Sequence, residues 1–470
     1  MCRGPHRMHL CIAKEAALCY AQSCGACRTC KAGGARGRGC GVLNMHMTYE
    51  EALRFIHGAS GRGKKVGLEN MRALLARLGN PHGQFRAIHV AGTNGKGSVC
   101  AFLNAALCCA GQRVGLYTSP FLQRYNERMR LNGAPIDDGV LADLTGEVAD
   151  AVEALRAEGV LPTEFEIGTA IAFLFFARAG ADIAVVEVGL GGRLDPTNVI
   201  VPQCAAIASI GLDHTRTLGD TVEAIAWEKA GIAKPGVPLF LSAQASPSVR
   251  SVIASHCEAV GAPFFMAPAD VGLPLGLEGA HQRYNAALAV CALRALGIDE
   301  TSIAEGLRRT RWPARLEWIG EKPPLLLAGA HNPQGAQSLA DYVSTLPRRR
   351  TVLLCGVMQD KDWRGVARAL RPLADAAVTV APPDRRGLDA VALASAFEGI
   401  PSHACQSLEE AWDKARALAG PQGRVVGAGS LYLAGALRTL ALGRDEALLL
   451  PEITKESPKG GARACSSISR

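Results

Sequence analysis

The chain has 470 residues, long enough to bury a large core and to form more than one domain. With 48% apolar and 20% charged residues and no uncharged apolar run near the roughly 18 residues of a membrane span, it reads as a globular protein without a membrane segment. The formal charge of +8 lies in the two tails, since residues 47–450 carry 40 basic and 40 acidic side chains, so no nucleic-acid partner is expected for the body.

Residues 1–46 hold seven of the sixteen cysteines, including the C-x2-C-x2-C of Cys24, Cys27 and Cys30 with Cys40 beyond. That spacing admits an iron–sulfur or zinc site, but the segment also reads as a disordered extension. It lacks the apolar stretch of a signal peptide. Eight further cysteines sit mostly in apolar surroundings, which fits reduced thiols in a cytoplasm rather than a disulfide framework.

Met47 opens an amphipathic helix with Thr48 as its cap. From Phe85 onward, short apolar runs alternate with helical stretches, the pattern of a parallel sheet with crossover helices. Strands are expected at Ala87–Ala91, Arg113–Thr118, Asp182–Val188, Cys204–Ile210 and Pro238–Ser242, with a helix over about 97–110. The continuous apolar run of the third of these strands implies burial on both faces. A second series follows, with strands Leu325–Ala328, Thr351–Val357, Ala377–Ala381 and Arg424–Ala428, and helices Pro333–Val343 and Leu408–Leu418. No internal repeat is visible. The expectation is two α/β domains, 47–300 and 313–443, joined around 296–312, followed by a disordered tail 444–470.

Between the first strand and its helix lies Gly92-Thr93-Asn94-Gly95-Lys96-Gly97-Ser98. Backbone N–H groups of such a loop, with the helix N-terminus behind them, cradle phosphate oxygens, and Lys96 would meet the β/γ-phosphates. A glycine between Lys96 and Ser98 sets it apart from the G-x4-G-K-[ST] pattern. Glu187 ends a buried strand, where a carboxylate needs a counter-ion; a salt bridge and a cation ligand both satisfy that need. His214 after Asp213 reads as a ligand or as a satisfied core histidine. Lys229 reads as a solvated lysine beside Glu223 or Glu228. No G-x-G-x-x-G opens the first helix, which excludes a dinucleotide-dependent oxidoreductase.

The string H-V-A-G-T-N-G-K-G-S resembles the phosphate loop of the folate branch of the muramyl-ligase superfamily, the folylpolyglutamate synthase and dihydrofolate synthase family. Eight further strings follow in that family's order over about residues 47–440: Y-T-S-P-F-L, E-V-G-L-G-G-R-L-D, G-L-D-H-T, W-E-K-A-G-I, H-Q-R-Y-N, W-P-A-R-L-E, A-H-N-P and G-S-L-Y-L. The resemblance implies a P-loop-type ATPase domain with a mostly parallel sheet and a smaller Rossmann-like C-terminal ligase domain. It implies an ATP-dependent amide ligase joining L-glutamate to dihydropteroate or to reduced folates through an acyl phosphate. Its expected partners are those small molecules, its cofactor Mg²⁺ at two sites, and its state a cytoplasmic monomer.

Residue by residue, the resemblance places Thr93, Asn94, Gly95, Lys96, Gly97, Ser98, Asn285 and Arg315 on ATP. It places Ser119, Glu187 and His214 at the metal, and makes Lys229 a carbamylated lysine. His331 falls near the γ-phosphate; its other reading is a helix-start residue. Arg315 could equally form a surface pair with Glu317. Thr163, Glu164, Phe165 and Glu166, with Leu194, Asp195 and Pro196, match segments that hold dihydropteroate. Phe165 offers a flat face to a pterin, or packs in the core, and Glu166 could accept ring N–H bonds.

Three positions depart from the family pattern: Ala328 where an Asp precedes G-A-H-N-P, Phe121 where a His follows S-P, and Ala314 within P-G-R. The first motivates a rival reading, a nucleotide-binding member with impaired catalysis. A second rival is a ligase of muramyl peptides.

Overall fold

The computed structural model describes residues 47–59, 67–320 and 322–443. The Cys24–Cys30 cluster and the C-terminal tail lie outside these residues. Thr48 caps the first helix, α1 (Tyr49–His57), in a reciprocal capping box with Glu51. After α2 (Glu69–Arg77) the chain enters β1 (Arg86–Ala91), α3 (Lys96–Cys109) and β2 (Val114–Tyr117). A short antiparallel pair follows, β3 (Met129–Leu131) and β4 (Ala134–Pro135), and then α4 (Asp138–Ala157), α5 (Glu164–Arg178) and β5 (Ile183–Glu187). Next come β6 (Cys204–Ile207), α6 (Thr215–Leu218), α7 (Val222–Ala230), β7 (Leu239–Leu241), α8 (Pro247–Val260) and β8 (Phe264–Met266).

These eight strands form one sheet in the order β4-β3-β2-β5-β1-β6-β7-β8, parallel from β2 to β8. All five residues of β5 are buried, as its unbroken apolar run implied. One face of the sheet is covered by α1, α2, α4 and α5. The other is covered by α3 with α9 (His281–Ala295) and α10 (Glu300–Arg309). α3 is therefore buried on nearly every side, which explains its small, apolar composition.

The stretch 296–312, expected as a junction, is instead mostly helix. Gly306 of α10 lies so close to Ala106 of α3 that a Cβ there would overlap its backbone. Only about residues 310–314 cross to the second sheet, because α10 has an apolar stripe that needs the first sheet's helices.

The second unit contains β9 (Arg315–Ile319), β10 (Leu325–Ala328), α11 (Pro333–Ser344), β11 (Thr351–Cys355) and α12 (Trp363–Leu370). β12 (Ala376–Thr379), α13 (Ala390–Ala394), β13 (Ser402–Ala404), α14 (Leu408–Ala419), β14 (Arg424–Ala428) and α15 (Leu431–Leu442) complete it. The strand order is β13-β12-β11-β14-β10-β9, parallel except for the edge strand β9. The sequence pattern missed β9: three of its five residues are not buried, and a register shift between the Glu317–Leu327 and Arg315–Ala328 pairs breaks its alternation. The short strands β3, β4, β8 and β13, two or three residues each, were missed for want of length.

Candidate active site

The two sheets face each other with the C-terminal ends of their parallel strands. In the first sheet, neighbouring strands β2, β5, β1 and β6 end at Ser119, Glu187, the loop 92–98 and Asp213–His214. In the second, Arg315 begins the antiparallel β9 at the same edge where β10 ends before His331, and where Lys361 follows β11. A cavity of about 860 Å³ lies between them. It is lined by every residue given a nucleotide, metal, catalytic or pterin role from the sequence except Glu164, whose carboxylate instead accepts from His57 Nδ1 at 2.9 Å.

The loop 92–98 opens on Gly92 with φ 148° and enters α3 through Gly95 with φ 89°, conformations that a side chain resists. A Cβ on Gly95 would also strike the Asn285 amide. Asn285, 3% exposed, is set by Gln282 (2.9 Å), which reaches Ser98 Oγ at 3.3 Å. Two ammonium groups converge on this loop. Lys96 Nζ donates to the carbonyls of Gly92 (3.1 Å) and Thr93 (3.3 Å), and Lys229 Nζ donates to Gly92 O at 2.9 Å. Lys229 is not solvated and meets neither Glu223 nor Glu228: it is 4% exposed, and burial with the nearby Lys96 lowers its pKa to about 7.

Glu187 is 5% exposed. Its Oε2 accepts from Ser119 N at 3.1 Å and its Oε1 stands 4.0 Å from Lys96 Nζ. Burial raises its pKa, against the pull of Lys96, the Ser119 N–H and Arg315. The alternative of a plain salt bridge is thus only loosely met, and the carboxylate retains room for a cation. His214 is no core histidine, its side chain being 45% exposed. It adopts φ 52°, and burial of its ring together with Lys361 lowers its pKa to about 4, so it offers a neutral nitrogen. Among the described residues no three His, Cys, Asp or Glu side chains converge as a metal cage. A carboxylate and a hydroxyl suit a Mg²⁺ that keeps waters and phosphate oxygens, whereas an imidazole is not a preferred partner for it.

Arg315 does not pair with Glu317, which instead accepts from Arg438 Nε at 2.9 Å and from Ala314 N at 2.9 Å. Its guanidinium reaches toward Gly97 and Gly329, between the two units. Ala314 beside it has φ 55°, so the glycine usual in P-G-R is there for conformation, and this departure is larger than the small change in volume implies. Ala328 lies in the core of the second unit, 5% exposed, at the cleft wall. Phe121 packs on Tyr125 with Arg128 over its ring.

On the far wall Phe165 covers Gly189, where a Cβ would collide with its ring, and lies 6.0 Å from the Tyr117 ring. Glu166 and Asp195 are both occupied within the protein. Glu166 Oε2 accepts from Thr163 N (2.7 Å) and Oγ1 (2.8 Å) in a capping box. Asp195 accepts from Leu190 N (2.8 Å), Thr197 N (3.0 Å) and Thr197 Oγ1 (2.5 Å), which staples the loop after β5. Asp195 thereby shapes the wall, and Glu166 is engaged through Oε2.

Asp213, Lys361, His281 and Arg386 also line the cavity, and sequence reasoning assigned them nothing. Asp213 stood inside a quoted string, but a signal for it needed its partners, more than 100 residues away. His281 has its pKa lowered to about 4 by burial and by Arg315.

Residues 314–431 match the family model described as "Mur ligase, glutamate ligase domain". The chain is 40% identical over 365 residues to the dihydrofolate synthase/folylpolyglutamate synthase of Bacillus subtilis, across 71% of this chain and 85% of that one. It superposes on Escherichia coli FolC in complex with DHPP and ADP with a TM-score of 0.77, at 30% identity, over 84% of this chain and 97% of that one. It superposes equally widely on the bifunctional folylpolyglutamate synthase/dihydrofolate synthase of Yersinia pestis complexed with AMPPNP and Mn ion, with a TM-score of 0.76, 30% identity and 84% and 98% coverage.

Proposed function

As the chain belongs to the dihydrofolate synthase and folylpolyglutamate synthase family, we infer that it is an ATP-dependent ligase that joins L-glutamate to a pterin-bearing carboxylic acid. The observation that carries this reading is the single cavity in which the phosphate loop with Lys96, the buried Glu187 and Lys229, and the face of Phe165 meet Arg315 and His331 of the second unit.

The γ-phosphoryl group of ATP passes to the acceptor carboxylate, and ADP leaves with the electrons of the broken P–O bond. Lys96 and the N–H groups of loop 92–98 hold the phosphates, and Arg315 and His331 add cationic and donor character from the opposite side as charge builds up. The glutamate amine, as free base, then attacks the acyl carbon, the amide forms and phosphate departs. Magnesium ions, when bound at Ser119, Glu187 and His214, would offset the phosphate charge. A second ion, when bound, would take an oxygen ligand from Lys229 as a carbamate. Support for the carbamate is the lowered pKa of Lys229, because only a neutral amine adds to carbon dioxide. Asn285 holds the nucleotide end of the cavity. The segments 163–166 and 194–196 shape the wall for a pterin, with Phe165 as its flat face. Both dihydropteroate and reduced folates are proposed as acceptors, and the enzyme is proposed to act as a cytoplasmic monomer.

The test is phosphate release from MgATP with L-glutamate and either dihydropteroate or tetrahydrofolate. Release with dihydropteroate establishes the synthase step, and release with tetrahydrofolate the polyglutamylating one. Release with neither, from folded protein, overturns the assignment and makes Ala328→Asp the first variant to try.

A further inference from the structure

We propose that Asp213 is a positioning residue for this ligation, whose carboxylate draws Lys361 and His331 of the second unit over the phosphate loop of the first. The inference rests on the ligase reading and adds to it a residue that acts through others.

Asp213 follows β6 and its side chain is 8% exposed. Its Oδ1 accepts from Lys361 Nζ at 2.6 Å and from the His214 N–H at 2.8 Å. Its Oδ2 accepts from Asn332 Nδ2 at 3.1 Å and faces His331 Nε2 at 3.3 Å. Three of these four partners come from the second unit, and from two separate loops, those after β10 and β11. No lone pair is left for a ligand, so the carboxylate orients groups rather than touching substrate. Nearby, Asn94 meets Asn332 and Gln334 of the second unit through neutral amides alone. The Asp213 contact is therefore the ionic one at this edge of the cleft.

Both partners are fixed by it. His331 is held at Nδ1 by the Gly329 carbonyl, 3.0 Å away, so that the bond at Nε2 sets its ring plane. Lys361, with a side chain 11% exposed, would lie beside His214 Nε2 at 3.2 Å with no counter-charge if Asp213 were neutral. Opening the cleft breaks these contacts, and closing it restores the geometry of Lys361 and His331 together. Asp213 thereby ties Lys361 and His331 of the second unit to the first unit's phosphate loop.

The experiment is a double-mutant cycle on the full chain with Asp213→Asn and Lys361→Met, reading kcat, the affinity for MgADP and the thermal midpoint. Breaking one side of a buried charge pair predicts a fall in kcat of about a hundredfold for D213N. The phosphate loop is untouched, so MgADP affinity is expected to change by less than about threefold. In the double variant the two losses should not multiply, and kcat should lie within about threefold of D213N alone. Asp213→Glu, which keeps the charge, should recover part of kcat. The proposal is overturned if D213N turns over like the parent, if the losses multiply, or if kcat falls only in step with the thermal midpoint. If the parent itself turns over no acceptor, the ligase reading fails instead. Small-angle scattering then decides the present point: compaction with MgADP in the parent but not in D213N supports it, and equal compaction overturns it.

Discussion

Lys229 and Ala314 each hold an unfavourable state that the surrounding structure imposes. A lysine free in solution has a pKa of 10.5, and here it is about 7. Between these values the unfolded chain binds a proton that the folded one does not, so stability from this group rises with pH from about 7 to 10.5 and is at its lowest below 7. Lys229→Met should accordingly stabilise the fold most below pH 7, with the gain vanishing toward pH 10.5, as read by thermal midpoints across that range. Catalysis should move the other way. In buffer freed of carbon dioxide, ligation by the parent should be weak and should recover on adding bicarbonate, more fully at pH 8 than at pH 6. Equal rates with and without bicarbonate would remove the carbamate from the mechanism. At Ala314 the left-handed backbone at φ 55° costs an L-residue about 1 kcal/mol, so Ala314→Gly should raise the unfolding free energy by about that amount in urea titrations.

Two glycines set how closely helices approach their neighbours. Gly306 in α10 lets that helix rest directly on the backbone of Ala106 in α3. Gly306→Ala should cost about 1–3 kcal/mol through overpacking, measured as a lowered urea midpoint. Gly435 in α15 receives the carbonyl of Leu122 from the loop after β2, and beside it Arg438 Nη1 donates to Gln123 Oε1 at 3.1 Å. Alanine is the better helix former, but its Cβ would overlap the Leu122 carbonyl, so Gly435→Ala should lower the thermal midpoint only modestly as the loop shifts. It should lower kcat/KM for the pterin acceptor about tenfold, because the loop that begins at Ser119 can no longer dock. Loss of stability without loss of activity would contradict that account of the loop. Both glycines sit inside unremarkable helical sequence, where they read as a mild flaw in propensity. Only the packed helices reveal what they admit.

Across the whole molecule, a sheet edge from each unit supplies one half of the site, and the chain's order explains what could be read from it. The strand cores at Leu325–Ala328 and Arg424–Ala428 were legible to the residue, because continuous apolar runs report burial on both faces of a sheet. The phosphate loop was legible because it lies just beyond a strand, and parallel strands bring their ends to one edge by topology alone; Glu187 and His214 entered through the resemblance, and Lys229, read from its neighbours as solvated, is buried against Gly92 instead. Thus the sequence by itself determined the α/β class, the two sheets and which residue types stand at the strand ends. Tertiary structure alone decided that α10 belongs to the first unit, that Arg315 turns from Glu317 toward the cleft, that Asp195 and Glu166 bond inward, and that Asp213 meets Lys361. Periodicity and local motifs record how a residue is buried and how its own backbone turns. They do not record which of several charges, 148 residues apart for Asp213 and Lys361, a carboxylate will face once the sheets close.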